Sequence, residues 1–467
     1  MINILKLWLL ALLVAVIPSA SRAAYPSQID NFSTSLSLSK VANAALAIEN
    51  TLGTNPQGTS STVGTRLSII ESLRDWLEVQ NIRLSVDEAF PSQGSYSLSV
   101  SAIHQLGDTL YVGGQFGVWA GVTRNCLVAI DVPTKTVINT FDAAITGTSG
   151  VTVMVNKIID SPNAGNLIVV GRFTTVSGTS RIGVAEIDAA TGIATSFDAN
   201  LLTSTSSASV VAAVVRGSNI YFGGTGFSSV GGVTLTSNLA AVDNTGVLQP
   251  FYPKDASPSG PFINDLESTP LGIWAFGSFS YLSPTPSARI AVLDATTGNN
   301  LGFIYNESTA GLSSASNSVD SDGNFVYVVG GGNTALNFSG LPRLSGLMRF
   351  DGNTGAVDVT NTAMVGLAAE ASAFVVVGGN KLYVSTGSAA GGTTVLGFGK
   401  QNGIKGTRRG VAVFDKSTMN LLPEIVDLDF NNTFRIYVTA TKLYVGGAFG
   451  LANGVFRPTL ASFSLIP

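Results

Sequence analysis

The sequence holds one cysteine, Cys126, and one histidine, His104, in 467 residues. A lone thiol forms no intrachain disulfide, and a lone imidazole cannot build a multi-histidine metal site. Most nucleophilic and metal mechanisms therefore lack parts. Charge is scarce as well: 12% of residues are Asp, Glu, Lys or Arg, against about 25% in ordinary soluble domains. That scarcity argues against a charged disordered chain. A net charge of −4 leaves no polycationic footprint, so nucleic acid is not an expected partner. Long apolar runs are missing except at the start. There, residues 7–17 follow Lys6 and precede Pro18 and the small-residue end Ser21-Arg22-Ala23, the layout of a secretory signal peptide cleaved after Ala23. The run is too short for a spanning helix of about 20 residues, so an uncleaved signal would be the only membrane attachment. The expected location is secreted or cell-surface, with a virion as the alternative.

What is present is repetition. Residues 110–116 read LYVGGQF, and variants begin at Leu167, Ile220, Ile273, Val326, Leu382 and Leu443, at spacings of 57, 53, 53, 53, 56 and 61 residues. A fixed period of this size signals a repeat architecture. Each repeat reads as four strands: an apolar alternating strand, the YVGG strand, a strand ending in Asp, and a last strand with an anchor such as Phe141, Phe197, Phe251 or Phe303. The Asp residues (131, 188, 243, 294, 351 and 415) precede turns that carry Gly192, Gly246, Gly298 and Gly355 in four of the copies. An Asp carboxylate binds backbone amides just ahead of it, and Gly supplies a positive φ. Calcium binding would need several oxygen ligands on one loop, and each turn offers one reliable carboxylate. The paired glycines allow close backbone approach; phosphate cradling would require a strand–loop–helix context.

Seven repeats of about 55 residues with four strands each predict an all-β fold, a seven-bladed β-propeller. The seventh repeat stops at its third strand, while residues 84–90 (LSVDEAF) match a fourth strand ahead of the first repeat. The N-terminal segment is thus expected to close the ring. The expected division is a signal peptide over 1–23, a helical segment over 24–80 and the propeller over 81–467. In the helical segment, 38–52 is rich in Ala and Leu, and 62–80 places Val63, Leu67, Ile70, Leu73 and Leu77 on one seam. That short α-helical stalk suits either homo-oligomerisation as a coiled coil or docking on the following domain.

The pattern YVGG-F, then R-x-L-A-x-D, TG and F, resembles the delta-sixty type of propeller repeat of bacterial secreted or surface proteins and phage structural proteins. The resemblance covers roughly 84–467 and implies the fold more than any function. Residues 45–67 (ALAIENTLGTNPQGTSSTVGTRL) look like a segment that precedes receptor-binding or fibre regions in phage virion and tail-fibre proteins.

Binding is expected on the longest loops, where the copies stop agreeing. Trp119, Tyr281, Asn337, Phe338, Phe398, Lys400, Gln401 and Lys405 break the repeat there. Aromatics beside amides could stack on sugars or anchor a protein partner. The loop over 387–409 is the longest. Arg124, Arg181, Arg289, Arg343, Arg409 and Arg457 stand just before third strands; pairing with a neighbouring blade's Asp is the expected role, and reading an anionic glycan the alternative. Asn264, Asp265, Glu267 and Asp320 lie on first strands, where two carboxylates could hydrolyse glycosides. The expectation is a non-catalytic binding or structural module without a cofactor, recognising a surface glycan or a protein partner. A polysaccharide-active enzyme with axial carboxylates is the alternative.

Overall fold

The chain divides into two units, Met1–Gln80 and Asn81–Pro467. The computed structural model describes residues 82–92, 99–251, 253, 262–279, 290–303, 316–330, 347–358, 364–367, 374–386, 395–398, 410–422, 424–429 and 432–465, all in the second unit. The signal peptide and the helical patterns at 38–52 and 62–80 lie outside the described residues. The described part is all-β, built of many small antiparallel sheets.

Seven of these sheets repeat one plan. Sheet one runs Ser99–Leu106, Thr109–Gln115, Leu127–Asp131 and Thr136–Val137. Sheets two to seven begin with the inner strands Met154–Asp160, Ser209–Arg216, Phe262–Thr269, Ser316–Ser321, Val375–Gly378 and Asn432–Val438. In each, a YVGG-type strand and an Asp-ending strand follow in order. Consecutive inner strands are neighbours, and that of sheet seven adjoins that of sheet one. The seven sheets therefore form a cycle of neighbours, with a hydrophobic cluster between successive pairs.

The fourth strand differs from the expectation. Among the described residues only sheet one has a two-residue fourth strand; sheets two to five keep a single bridge, such as Ile187 with Ala194, and sheet six keeps two, Phe414 with Leu421 and Val411 with Val426. Side chains hold this segment instead of a ladder. The buried rings of Phe141 and Phe251 meet Tyr111 and Tyr221 at centroid distances of 5.5 and 5.0 Å. Arginine holds it too, which corrects the expected pairing with a neighbouring blade. Arg124 donates to Asn139 O (3.0 Å), and Arg181 donates to Thr195 O (2.7 Å) and approaches Asp198 at 3.4 Å. Both bind the fourth segment of their own repeat. Arg289, Arg343 and Arg409 lie outside the described residues.

The two glycines of YVGG have separate jobs. A Cβ on Gly113 would sit 2.6 Å from Val155 on the inner strand of sheet two, and one on Gly223 would sit 2.6 Å from Ile263 on that of sheet four. The first glycine lets adjacent sheets touch. Beside the second, the inner strand bulges: the register shifts between Val100 and Ala102, and again in sheets two, three, four, five and seven. A bulge bends the strand and re-aims the residues after it. The bulged residue also links sheets, since Ser101 donates to Val155 O (2.6 Å) and Asn156 to Val210 O (2.8 Å).

Both ends of the unit meet in sheet seven. Val86 bridges Phe463, Asp87 N donates to Ser462 O (2.8 Å) and Ser464 N to Ser85 O (3.0 Å). Phe90 lies against Tyr444 at 5.4 Å, and Arg457 donates to Glu88 O, just as Arg124 and Arg181 serve their own fourth segments.

The Asp-headed turns are self-contained. Asp188 Oδ1 accepts Thr191 Oγ1 (2.7 Å), Thr191 N (2.8 Å) and Ala190 N (3.1 Å). The Thr191 hydroxyl, with these amides, holds the carboxyl below the usual range. Among the described residues five third strands are entered through a left-handed residue: Cys126, Gly183, Asn238, Gly410 and Thr459 all have positive φ. A β-branched residue is strained there, and the buried Thr459 hydroxyl has no partner among the described residues. At the matching position Asn238 Oδ1 accepts Phe227 N (2.7 Å). Thr459→Asn should therefore stabilise the protein by about 1 kcal/mol, read as a raised midpoint in urea.

Candidate functional site

The inner strands enclose a cavity of about 410 Å³ lined by residues of all seven sheets. Two rows of side chains face it because residues two apart share a strand face. Directly after the bulge stand Lys157, Asp265, Ser318 and Arg435 in sheets two, four, five and seven. The same place holds alanine in sheets one and three, Ala102 and Ala212. Phe374, whose carbonyl accepts Ser385 N (2.8 Å), holds it in sheet six. Two residues further on come His104, Glu267, Asp320 and Tyr437, with Ile159, Val214 and Val376 completing that row.

The polar groups are tied down in different ways. Lys157 Nζ lies 2.7 Å from Asp265 Oδ1, an ion pair that reaches from sheet two to sheet four. Asp265 also accepts Leu266 N (3.0 Å) and Val319 N (3.2 Å). Arg435 donates from Nε to Ser101 O (2.5 Å) and from Nη2 to Asn156 O (3.3 Å), and stacks 4.3 Å over the Phe374 ring. Burial lowers its pKa. Asp320 accepts Val377 N (2.7 Å) and Ser321 N (2.9 Å), and Glu267 Oε1 accepts Ser321 Oγ (3.0 Å). At the rim, His104 Nε2 lies 2.8 Å from Asp160 Oδ1, and its ring meets Tyr437 edge-on at 5.6 Å.

Glu267 and Asp320 sit at one level on adjacent sheets. Burial pushes Glu267 up to about 8, and the charge of Asp320 adds to the shift. Burial also raises Asp320, to about 6, against the amides of Val377 and Ser321. Both values lie above the ordinary ones, so the folded protein keeps protons that the unfolded chain has released. The stability these groups contribute is complete below about pH 4 and is lost as pH rises through about 6 and then about 8. Glu267→Gln, which mimics the protonated acid, should lie close to the parent at pH 5 and exceed it at pH 9 by about 4 kcal/mol. Urea titrations at the two pH values check this.

Of the residues singled out in the sequence, Asp265, Glu267 and Asp320 come together here. Asn264 occupies the bulge of sheet four instead of a lining row. Trp119, expected as an exposed aromatic, is fully buried, 5.1 Å from Phe116. Its hairpin, Val118–Trp119 with Val122–Thr123, folds the indole inward while Val118 faces out. Phe398 lies on Val395–Phe398, which pairs with Met364–Leu367 and so gives the 387–409 loop a strand. Tyr281, Asn337, Phe338, Lys400, Gln401 and Lys405 lie outside the described residues. Lys157, Ser318, Arg435 and Tyr437 escaped the sequence reading. Lining up the repeats on the strand before YVGG, where the copies share no residue, is the signal that finds them. Among the described residues no group of three or more His, Cys, Asp or Glu is arranged to hold a metal.

No family model matches the chain, and no curated protein matches it. Solved structures that resemble it include the computationally designed Ika8 protein, at a TM-score of 0.44 and 12% identity over 80% of this chain and 98% of that one. The extracellular domain of a putative hybrid two-component system from B. thetaiotaomicron gives 0.43 and 11% over 81% of this chain. This chain spans 40% of that domain's length. Likenesses of this size assign neither family nor activity.

Proposed function

We propose that the cycle of seven sheets is a seven-bladed β-propeller, closed by the N-terminal segment and carried on a helical stalk. In this reading the protein is an exported, non-catalytic binding module at a bacterial or phage surface, with its ligand in the cavity among the inner strands. One observation carries the reading. The turns, glycines and anchors recur from copy to copy, whereas the two lining rows hold a different set of side chains in nearly every sheet. An architectural spacer would be served by repeating one residue. The leader at 1–23 supports export, and the loop face is a second surface for a glycan or protein partner.

Val214, half-buried on the cavity wall, gives the test. A thermal-shift screen of small polar solutes and oligosaccharides on the full chain should yield ligands that Val214→Trp no longer binds. Ligands indifferent to that substitution would remove the cavity from the proposal.

A second reading has its own support. Glu267 keeps its proton near neutral pH beside Asp265, which is salt-bridged to Lys157. Two carboxyls held in opposite states are the acid and base of glycoside hydrolysis. Release of sugar from a polysaccharide, abolished in Glu267→Gln, would replace binding by catalysis.

A further inference from the structure

The cavity's own cations are committed. Lys157 is held by Asp265 at 2.7 Å, and Arg435 by two carbonyls and the face of Phe374. Glu267 and Asp320, on adjacent sheets at the same level, have no basic side chain within ion-pair distance among the described residues. Ser318 stands beside them on the strand of Asp320. It is 3% exposed and lines the cavity, and its hydroxyl has no hydrogen-bond partner among the described residues. The unmet need here is positive charge carrying several hydrogen-bond donors. Among the described residues no group of three or more His, Cys, Asp or Glu is arranged to hold a metal ion. An alkylammonium brings one charge and three N–H donors, matching two carboxyls and one hydroxyl.

We propose that the cavity binds a small primary ammonium compound, its nitrogen seated between Glu267, Asp320 and Ser318. The proposal rests on the cavity being the ligand site. The ammonium donates to both carboxyls and to the Ser318 oxygen, and its carbon body extends into the cavity past Val214 and Val376, which flank the two acids. Seating a cation ionises Glu267, so one proton leaves for the solvent as the ligand enters.

Calorimetry on the full chain tests this with 1,4-diaminobutane and D-glucosamine, using D-glucose and D-glucuronate as neutral and anionic controls. At pH 7 an amine should bind with release of protons, read as a heat that varies with the ionisation enthalpy of the buffer. Glu267→Gln with Asp320→Asn should weaken binding at least ten-fold, and Ser318→Ala several-fold, with unchanged circular dichroism. Glucuronate or glucose binding as tightly as the amines, and lost in Val214→Trp, would overturn the ammonium assignment while leaving the cavity as the ligand site. Amine binding that survives Val214→Trp would overturn the cavity reading itself. No heat from either amine at 10 mM would overturn the proposal.

Discussion

Phe90→Ala should destabilise the protein by about 3–5 kcal/mol, as much as Phe251→Ala does within sheet three. Phe90 comes from the segment ahead of the first repeat, yet it is 4% exposed and packs on Tyr444 of sheet seven. Phe251 packs on Tyr221 in the same way, 5.0 Å between centroids. If residues 84–90 are an integral fourth segment, the two truncations remove equivalent rings and leave equivalent voids. A segment merely resting on the surface would let its ring go for under about 1 kcal/mol. Urea unfolding followed by tryptophan fluorescence compares them, and a Phe90→Ala value far below that of Phe251→Ala would sink the equivalence. Repeat folds can lose cooperativity, so proteolysis near residue 84 gives a second readout. Phe90→Ala should speed cleavage there, and Phe251→Ala should not.

Lys157→Met should cost about 3 kcal/mol near neutral pH. The substitution preserves the stem and deletes the charge, which leaves Asp265, 4% exposed, as an unpaired buried carboxylate. Breaking a buried pair on one side costs about 3–5 kcal/mol, and Lys157, one quarter exposed through its side chain, places this case at the lower end. Lys157→Met with Asp265→Leu should recover most of the stability, since the pair's desolvation disappears with its attraction. Denaturant midpoints of the parent, both single variants and the double variant check the series. A double variant no more stable than Lys157→Met would show that the aspartate's backbone contacts, and not the ion pair, hold sheet four in place.

The architecture was more legible in the sequence than the site, for a physical reason. The YVGG strand recurs because every copy meets the same demands. Its tyrosine, where present, can reach the next sheet, as Tyr111 does in donating to Ala189 O (2.6 Å) and Tyr221 to Ala295 O (2.7 Å), and its glycines admit a neighbour's side chain and a bulged backbone. The Asp turns recur because each closes on its own amides. The cavity is harder to see because its parts are distant and its register is broken. Lys157 and Asp265 lie 108 residues apart. In MVNKIID the bulge at Asn156 shifts the alternation by one, so Lys157 and Ile159 line the cavity, where simple alternation would put them on the face of the buried Val155. Arg435 follows its bulge likewise. Asp265 and Glu267 were found because two acids on an apolar strand stand out without any register. Trp119 misled because its hairpin folds back on the sheet, and sequence alone does not show which way a hairpin leans.

The junction in sheet seven also dictates an order of events. Asn453 donates to Leu84 O at 2.7 Å across 369 residues of chain, so this seam cannot form until residue 453 has been made. The entropy of closing so long a loop grows only with the logarithm of its length, a modest equilibrium penalty. The delay is the larger effect, since folding slows as contacts become more remote in sequence. Six sheets can assemble from local hairpins while the first segment waits for its partner strand. Until that strand arrives the row of sheets remains unlocked. Completion of the last sheet then acts as a ratchet, the step that is not readily undone.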